Sequence, residues 1–437
     1  MYRYLLFFLL MLPFSLSAQN TMYFMDNLPQ SIGYNPAFFP DVDSYLGMPA
    51  LSGVSMQVYN SAFNFNDIDE FQSKISNQSF DADSYLQSLG TENTLLSEVK
   101  ISLLSLGFRI KDKSFLSFSI DGSSYIVNKS PTDIIYFFTD LDEINNKNFP
   151  VVINNISMLT TNYLTLGVTY SYKVNENLTL GISPKLNFND FAFESENLTY
   201  KVEPEISDGE DDYKQSISGE FLMGIFTELD PEIVNKGDIP LDEGFKLIPD
   251  GWEDTAFGNL LKNKSLTLDL GATYTFEKWM FSASILNLGS SVFKSNNYEI
   301  AGDEEYINVK EIGKTRFAIP AKILIGAMHQ FTPKWNYGIL LNNTFYKDNY
   351  MPSATISLNG YVGKWLSTSA SYTAGYKFDN LGIGLRLRFL PGTDLYLVTD
   401  NIIQAFNYKN AHRLTAAIGI NMLFGMKGIE SDADESL

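Results

Sequence analysis

The stretch Leu266-Thr267-Leu268-Asp269-Leu270-Gly271-Ala272-Thr273-Tyr274-Thr275-Phe276 sets large apolar side chains alternately against small or polar ones. Successive side chains of a strand point to opposite faces, so this run makes a strand with one oily and one wet face. It stops at the two-residue turn Glu277-Lys278, and Trp279 follows at once. Upstream, Leu104, Leu106, Phe108 and Ile110 alternate with Ser105, Gly107 and Arg109, and Leu116, Phe118 and Ile120 with Ser117, Ser119 and Asp121. Downstream, Leu381, Ile383, Leu385, Leu387 and Phe389 alternate with Gly382, Gly384, Arg386 and Arg388. A soluble sandwich alternates in the same way, so the period alone does not say whether water or lipid lies outside.

The aromatic residues decide between them. Short turns at 111–113, 175–177, 277–278, 332–334, 363–364 and 391–393 have rings close by: Phe115, Tyr172, Phe276 with Trp279, Phe331 with Trp335, Trp365, and Phe389 with Tyr396. Amphipathic rings at one depth are what a bilayer interface selects, and short turns on one side with long loops on the other form the pattern of an outer-membrane barrel. Long connections are read at 64–99, 127–161, 227–263, 293–319 and 401–412, and acidic runs such as Asp208 to Asp212 and Asp303 to Glu305 mark loops. The reading is all-β: a transmembrane antiparallel barrel of about 14 to 16 strands. Phe191 to Phe226 gives the lower number if it is one hairpin reaching beyond the membrane.

Phe, Tyr and Trp make up 14% of the 437 residues and cysteine is absent, so disulfides are excluded. Past the first 20 residues, no stretch supplies the roughly 18 consecutive apolar residues that a spanning helix needs. The start reads as a secretory signal, with Arg3, an apolar run from Tyr4 to Leu12, and a small-residue end at Ser15 to Ala18. The expected organisation is a signal peptide at 1–18, a strap at 19–50, a barrel at 51–424 and an acidic periplasmic tail at 425–437. An even strand number puts both termini in the periplasm. A formal charge of −20 argues against nucleic acid as a partner, since binding there depends on clustered Lys and Arg. The expected partners are outer-membrane lipid, the barrel-assembly machinery during insertion, and a partner protein at the long acidic loops.

Chemistry is sparse. Only His329 and His412 are present, with no Cys, so no catalytic or metal-binding cluster can be drawn, and neither a cofactor nor an enzymatic activity is expected. Asp121, Lys185, Asp269, Lys322, Arg386 and Arg388 fall on the wet face, as lumen-facing charges that either pair across the lumen or line a conduction path. Near the mature N-terminus, Tyr34-Asn35-Pro36-Ala37-Phe38-Phe39-Pro40 has two residues without an N–H, and Asn35 is pushed to an extended conformation by the proline after it. Such a segment is a strap, and irregular backbone is admitted to a barrel only inside its lumen.

This Asn-Pro-Ala element resembles the N-terminal segment of the FadL-type barrels and of type IX secretion relatives such as PorV. With the runs Leu103 to Arg109, Leu268 to Tyr274, Trp365 to Tyr372 and Val398 to Ile402, and with Asn410 and Ala411, the chain resembles an uncharacterised Bacteroidota family of outer-membrane barrels. The resemblance implies that Asn35, Pro36, Ala37 and Phe38 form a plug or gate in the lumen. It implies a plugged or gated channel for a small, conceivably hydrophobic molecule. The alternative it carries is a non-enzymatic assembly or surface-attachment barrel of the PorV or PorP kind, with the long loops meeting a partner.

Overall fold

The computed structural model describes residues 19–25, 28–49, 51–75, 80–139, 149–207, 210–229, 234, 239–240, 253–302, 306–346, 349–362, 365–375, 378–390 and 392–426. The expected signal peptide, the acidic residues Asp208 and Asp303 to Glu305, and the tail beyond Met426 lie outside the described residues.

The strands are β1 Val42–Gly47, β2 Gly53–Asn60, β3 Glu92–Ile110, β4 Ser114–Pro131, β5 Val151–Lys173, β6 Leu178–Ser207, β7 Glu210–Ile225, β8 Ile239–Pro240, β9 Lys264–Phe276 and β10 Trp279–Phe293. They continue as β11 Asn297–Gly302, β12 Tyr306–Ile312, β13 Thr315–Ala318, β14 Ala321–Thr332, β15 Trp335–Tyr346, β16 Asn349–Val362, β17 Leu366–Gly375, β18 Phe378–Leu390, β19 Thr393–Thr399 and β20 Arg413–Met426. The helices are α1 Gln19–Tyr23, α2 Phe65–Ile75, α3 Ala82–Ser88, α4 Glu253–Lys262 and α5 Ile402–Phe406.

Both β1 and β2 pair with β20 on one side and β3 on the other, so they are two halves of one wall strand. From β3 the antiparallel ladder runs β4, β5, β6, β9, β10, then β14 to β20, and closes on β1 and β2 as a barrel of 14 strands. The Phe191 to Phe226 region is a hairpin of β6 and β7 that leaves the wall. Beyond it β7 pairs with β11, β11 with β12, and β12 with β8.

Two expectations are corrected. The wall begins at Val42, inside the segment expected to be a strap through residue 50, because Val42–Gly47 finds ladder partners on both sides. Between β1 and β2, Met48 N donates to Ile420 O and Ile420 N donates to Leu51 O. Long connections also do not alternate throughout: β15 and β16 are joined through 347–348, and β17 and β18 through 376–377.

Outside the barrel, Leu266, Leu270, Ile325, Ile339, Ile356, Leu358, Leu381, Leu397 and Ile418 are exposed, as the period requires. Tyr170, Tyr172, Phe276, Trp335, Trp365 and Phe424 are exposed beside the short turns or the barrel's end. An apolar band with an aromatic rim, carried on closed strands, is covered only by a bilayer, and the chain is an outer-membrane β-barrel. No helix of the described residues is long and apolar enough to cross a membrane.

At the long-loop end, α2, α3 and a 3-10 turn at Thr132–Phe138 pack with the ends of β5 and β6 into a core of their own. Phe71, Ile75, Ile135 and Ile153 are fully buried there. Asp81 caps α3 by accepting from Ser84 N. These helices were not legible as helices: their apolar residues serve a local core.

Candidate functional site

Residues 19–25 and 28–41 lie inside the barrel, against wall positions that carry almost no side chain. Ser171, Gly181, Gly271 and Ser284 are register partners across β5, β6, β9 and β10, forming one row on the inner face. The Tyr34 to Ala37 turn sits on that row. Ser171 Oγ donates to Pro36 O at 2.6 Å and Ser284 Oγ to Tyr34 O at 2.7 Å. Asn35 Nδ2 donates to Ala272 O at 3.4 Å and Ala283 O at 3.3 Å, while its Oδ1 accepts from Ala37 N at 2.9 Å. A methyl group at Gly181 would overlap the Pro36 carbonyl, and one at Gly271 would come within 2.9 Å of Ala37 N. Glycine is required at both positions because another backbone occupies the side-chain space.

A second row of small residues, Gly338, Ser357, Ser371 and Gly382, crosses β15 to β18. It receives α1. Phe24 fills the space over Gly338 and Thr21 that over Gly382, with Thr21 Oγ1 2.7 Å from Ser371 Oγ. Asp400, just past β19, accepts from Asn20 N at 3.1 Å, Thr21 N at 2.8 Å and Thr21 Oγ1 at 2.6 Å. Met22, Met25 and Leu28 pack on Tyr396 and Val398, and Tyr23, Phe24 and Phe38 on Leu286, Leu324 and Leu340. Where the segment leaves for β1, Arg109 donates to Pro40 O at 2.6 Å and lies over the Phe39 ring. Of the expected strap residues, Asn35, Ala37 and Phe38 are buried and Pro36 contacts the wall through its carbonyl.

Five of the six expected lumen charges are in ion pairs. Asp121 pairs with Lys100 at 3.1 Å, Lys185 with Asp269, Lys322 with Glu98 at 2.8 Å, and Arg386 with Asp394 at 2.7 Å. Arg388 is half-buried toward the short-turn end and stands apart from the lysine pairs. The first three pairs line one cavity, together with Ser55, Ser102, Ser119 and Ser183 and with Tyr34, Tyr125 and Tyr163. It offers about 140 Å³ to the centres of water molecules. Lys100 and Lys185 have side chains 38% and 17% exposed, against 7% and 2% for their carboxylates, so the lysines are the more open members of these pairs.

Glu98 and Lys100 were missed because a bulge separates them from the strand that was read. The β3–β4 register shifts between Ser102 and Leu104, so Ser102 points inward and the phase from Ile110 to Leu104 does not continue. Counting by twos from Leu104 would put Glu98 and Lys100 on lipid. The visible signal is the adjacent pair Leu103-Leu104, both on the outer side. Asn287, with a positive φ of 58°, marks a like bulge in β10, and its N–H donates to Asp269 Oδ1.

The P. putida toluene transporter TodX is similar to this chain at 13% identity, covering 89% of this chain and 92% of the transporter, with a TM-score of 0.44. A P. aeruginosa FadL homologue is similar at 10% identity, covering 95% and 99%, with a TM-score of 0.43. The Ralstonia pickettii toluene transporter TbuX is similar at 9% identity, covering 91% and 94%, with a TM-score of 0.42. No curated protein sequence matches. Residues 36–317 and 304–400 match a family of unknown function, DUF5723, and the chain belongs to that family.

Proposed function

We propose that this barrel is a gated channel of the outer membrane for small molecules, held closed by residues 19–41. The observation that carries the reading is the fit of the segment. Two rows of glycine and serine on the inner wall leave its backbone room, yet what fastens it is a small set of hydrogen bonds and apolar contacts. A segment meant only to stiffen the wall would be better held by a further strand, whereas one held by side-chain contacts can leave without breaking the ladder. Asn35, Pro36, Ala37 and Phe38 are the closing element in this reading. The segment joins β1 at the short-turn end, where β20 also finishes, and this supports periplasmic termini.

The test uses the absence of cysteine. Thr21 Oγ1 and Ser371 Oγ are 2.7 Å apart, so a Thr21→Cys, Ser371→Cys protein has sulfurs near bonding distance. In planar bilayers the oxidised protein should stay closed and the reduced protein should show opening events. Equal conductance in the two states would refute a gate at this segment.

A further inference from the structure

We propose that the lumen is built for small hydrophilic solutes, and that the Glu98–Lys322 pair is the selectivity element they pass. This rests on the channel reading above and adds the class of cargo, which the sequence reading allowed to be hydrophobic.

Three cavities follow one another, each sharing lining residues with the next. The one nearest the long loops is lined by Lys129, Ser157, Glu194 and Glu196 and measures about 260 Å³. Tyr346 separates it from a second of about 40 Å³, lined by Gln57, Asn342 and Arg413. The third is the serine-rich cavity of about 140 Å³ that reaches the N-terminal segment at Gln30 and Tyr34. The lining residues that the second and third share are Glu98 and Lys322. Both are buried, and the ammonium donates to both carboxylate oxygens at 2.8 Å. This pair is therefore the partition between the two cavities.

Each cavity exceeds the roughly 10–15 Å³ that one water needs, and each is polar enough to hold it. A cavity that selects hydrocarbons is lined by Leu, Ile and Phe and stays dry. Apolar side chains such as Leu159, Leu96 and Leu286 share the linings, but an apolar solute would still strip water from hydroxyls and ammonium groups without replacing those bonds. A polar solute replaces that water bond for bond, and it can take the place of either partner when the Glu98–Lys322 pair opens. The lysines and carboxylates of the three pairs balance, so the partition excludes neither sign of charge until one member is removed.

The experiment measures reversal potentials in a KCl gradient and the entry of glycine and of toluene into liposomes, for the full mature chain carrying Gly181→Ala to unseat the segment. Glu98→Gln should lower the K⁺/Cl⁻ permeability ratio several-fold and Lys322→Gln should raise it several-fold. Opposite signs separate a selectivity element from simple loosening. Because breaking a buried pair can impair folding, the double variant Glu98→Gln, Lys322→Gln is included. It should keep the parent's ratio, pass more current, and admit glycine in preference to toluene. Toluene entry with neither ionic current nor glycine entry overturns the cargo class and leaves the channel standing. Shifts of one sign in both single variants overturn the role of the pair. If no form passes ions or either solute, the channel reading falls, and the inference with it.

Discussion

Gly181→Ala places a methyl group where the Pro36 carbonyl now lies. The methyl is fixed rigidly on a strand paired with β5 and β9 and the carbonyl is backbone of a proline-flanked turn, so no rotamer change relieves the overlap. The ladder is the stronger of the two. Four hydrogen bonds tie the turn to the wall: Ser171 to Pro36, Ser284 to Tyr34, and Asn35 to Ala272 and Ala283. At about 0.5–1.5 kcal/mol each, they are worth roughly 2–6 kcal/mol together. Losing even about 3 kcal/mol of this raises the unseated fraction by more than about a hundredfold, since each 1.4 kcal/mol is a factor of ten. The strand itself should not suffer, because alanine is at least as good as glycine within a strand. Gly122→Ala is the matched control, as a methyl group there meets nothing within 4 Å. Single-channel recording should show Gly181→Ala open for much of the record and Gly122→Ala closed like the parent. If both variants behave like the parent while folding normally, the turn is not held against Gly181 and the argument from the glycine row fails.

Asp400→Asn weakens charge-assisted bonds to Asn20 and Thr21, worth about 1.5–3 kcal/mol each, and should speed amide exchange in residues 19–25 while the β19–β20 ladder stays protected. Ile418→Arg puts a charge on the lipid face and should cost about 2–4 kcal/mol if it lies near mid-depth, read as a lower urea midpoint for folding into vesicles. Phe71→Ala empties the centre of the loop core and should cost that core about 3–5 kcal/mol, read as faster proteolysis within 61–91 with unchanged heat-modifiable migration of the barrel.

The wall was legible because a strand with lipid on one side must alternate. Leu266 to Phe276 alternates without interruption in sequence, and from Leu266 to Leu270 burial alternates with it. The inner site was legible only in part. Asp121, Lys185, Asp269 and Lys322 lie on strands whose phase can be counted, but Lys100 and Glu98, the partners of Asp121 and Lys322, lie beyond a bulge that resets the count. The glycine rows escape a reading of one strand at a time. Gly181 and Gly271 are ordinary small residues until the register sets them side by side, and register depends on hydrogen bonds between strands far apart in sequence. The Asn35-Pro36 pair marked an irregular segment, because the chemistry of proline is local. Its seat on the wall is not local, and no pattern along the chain records it.

The central claim, that residues 19–25 and 28–41 are seated inside the closed barrel, is tested most directly by the bond between Thr21→Cys and Ser371→Cys in isolated outer membranes. The pairing of Thr21→Cys with Ser117→Cys serves as the control, since Ser117 lies by Tyr45 and Gly107 on β4. Near-complete oxidation of the first pair, read as a mobility shift on non-reducing gels after denaturation, with none for the second, is the expected result. Free thiols at both positions of the first pair, in protein whose barrel is folded, would contradict the account.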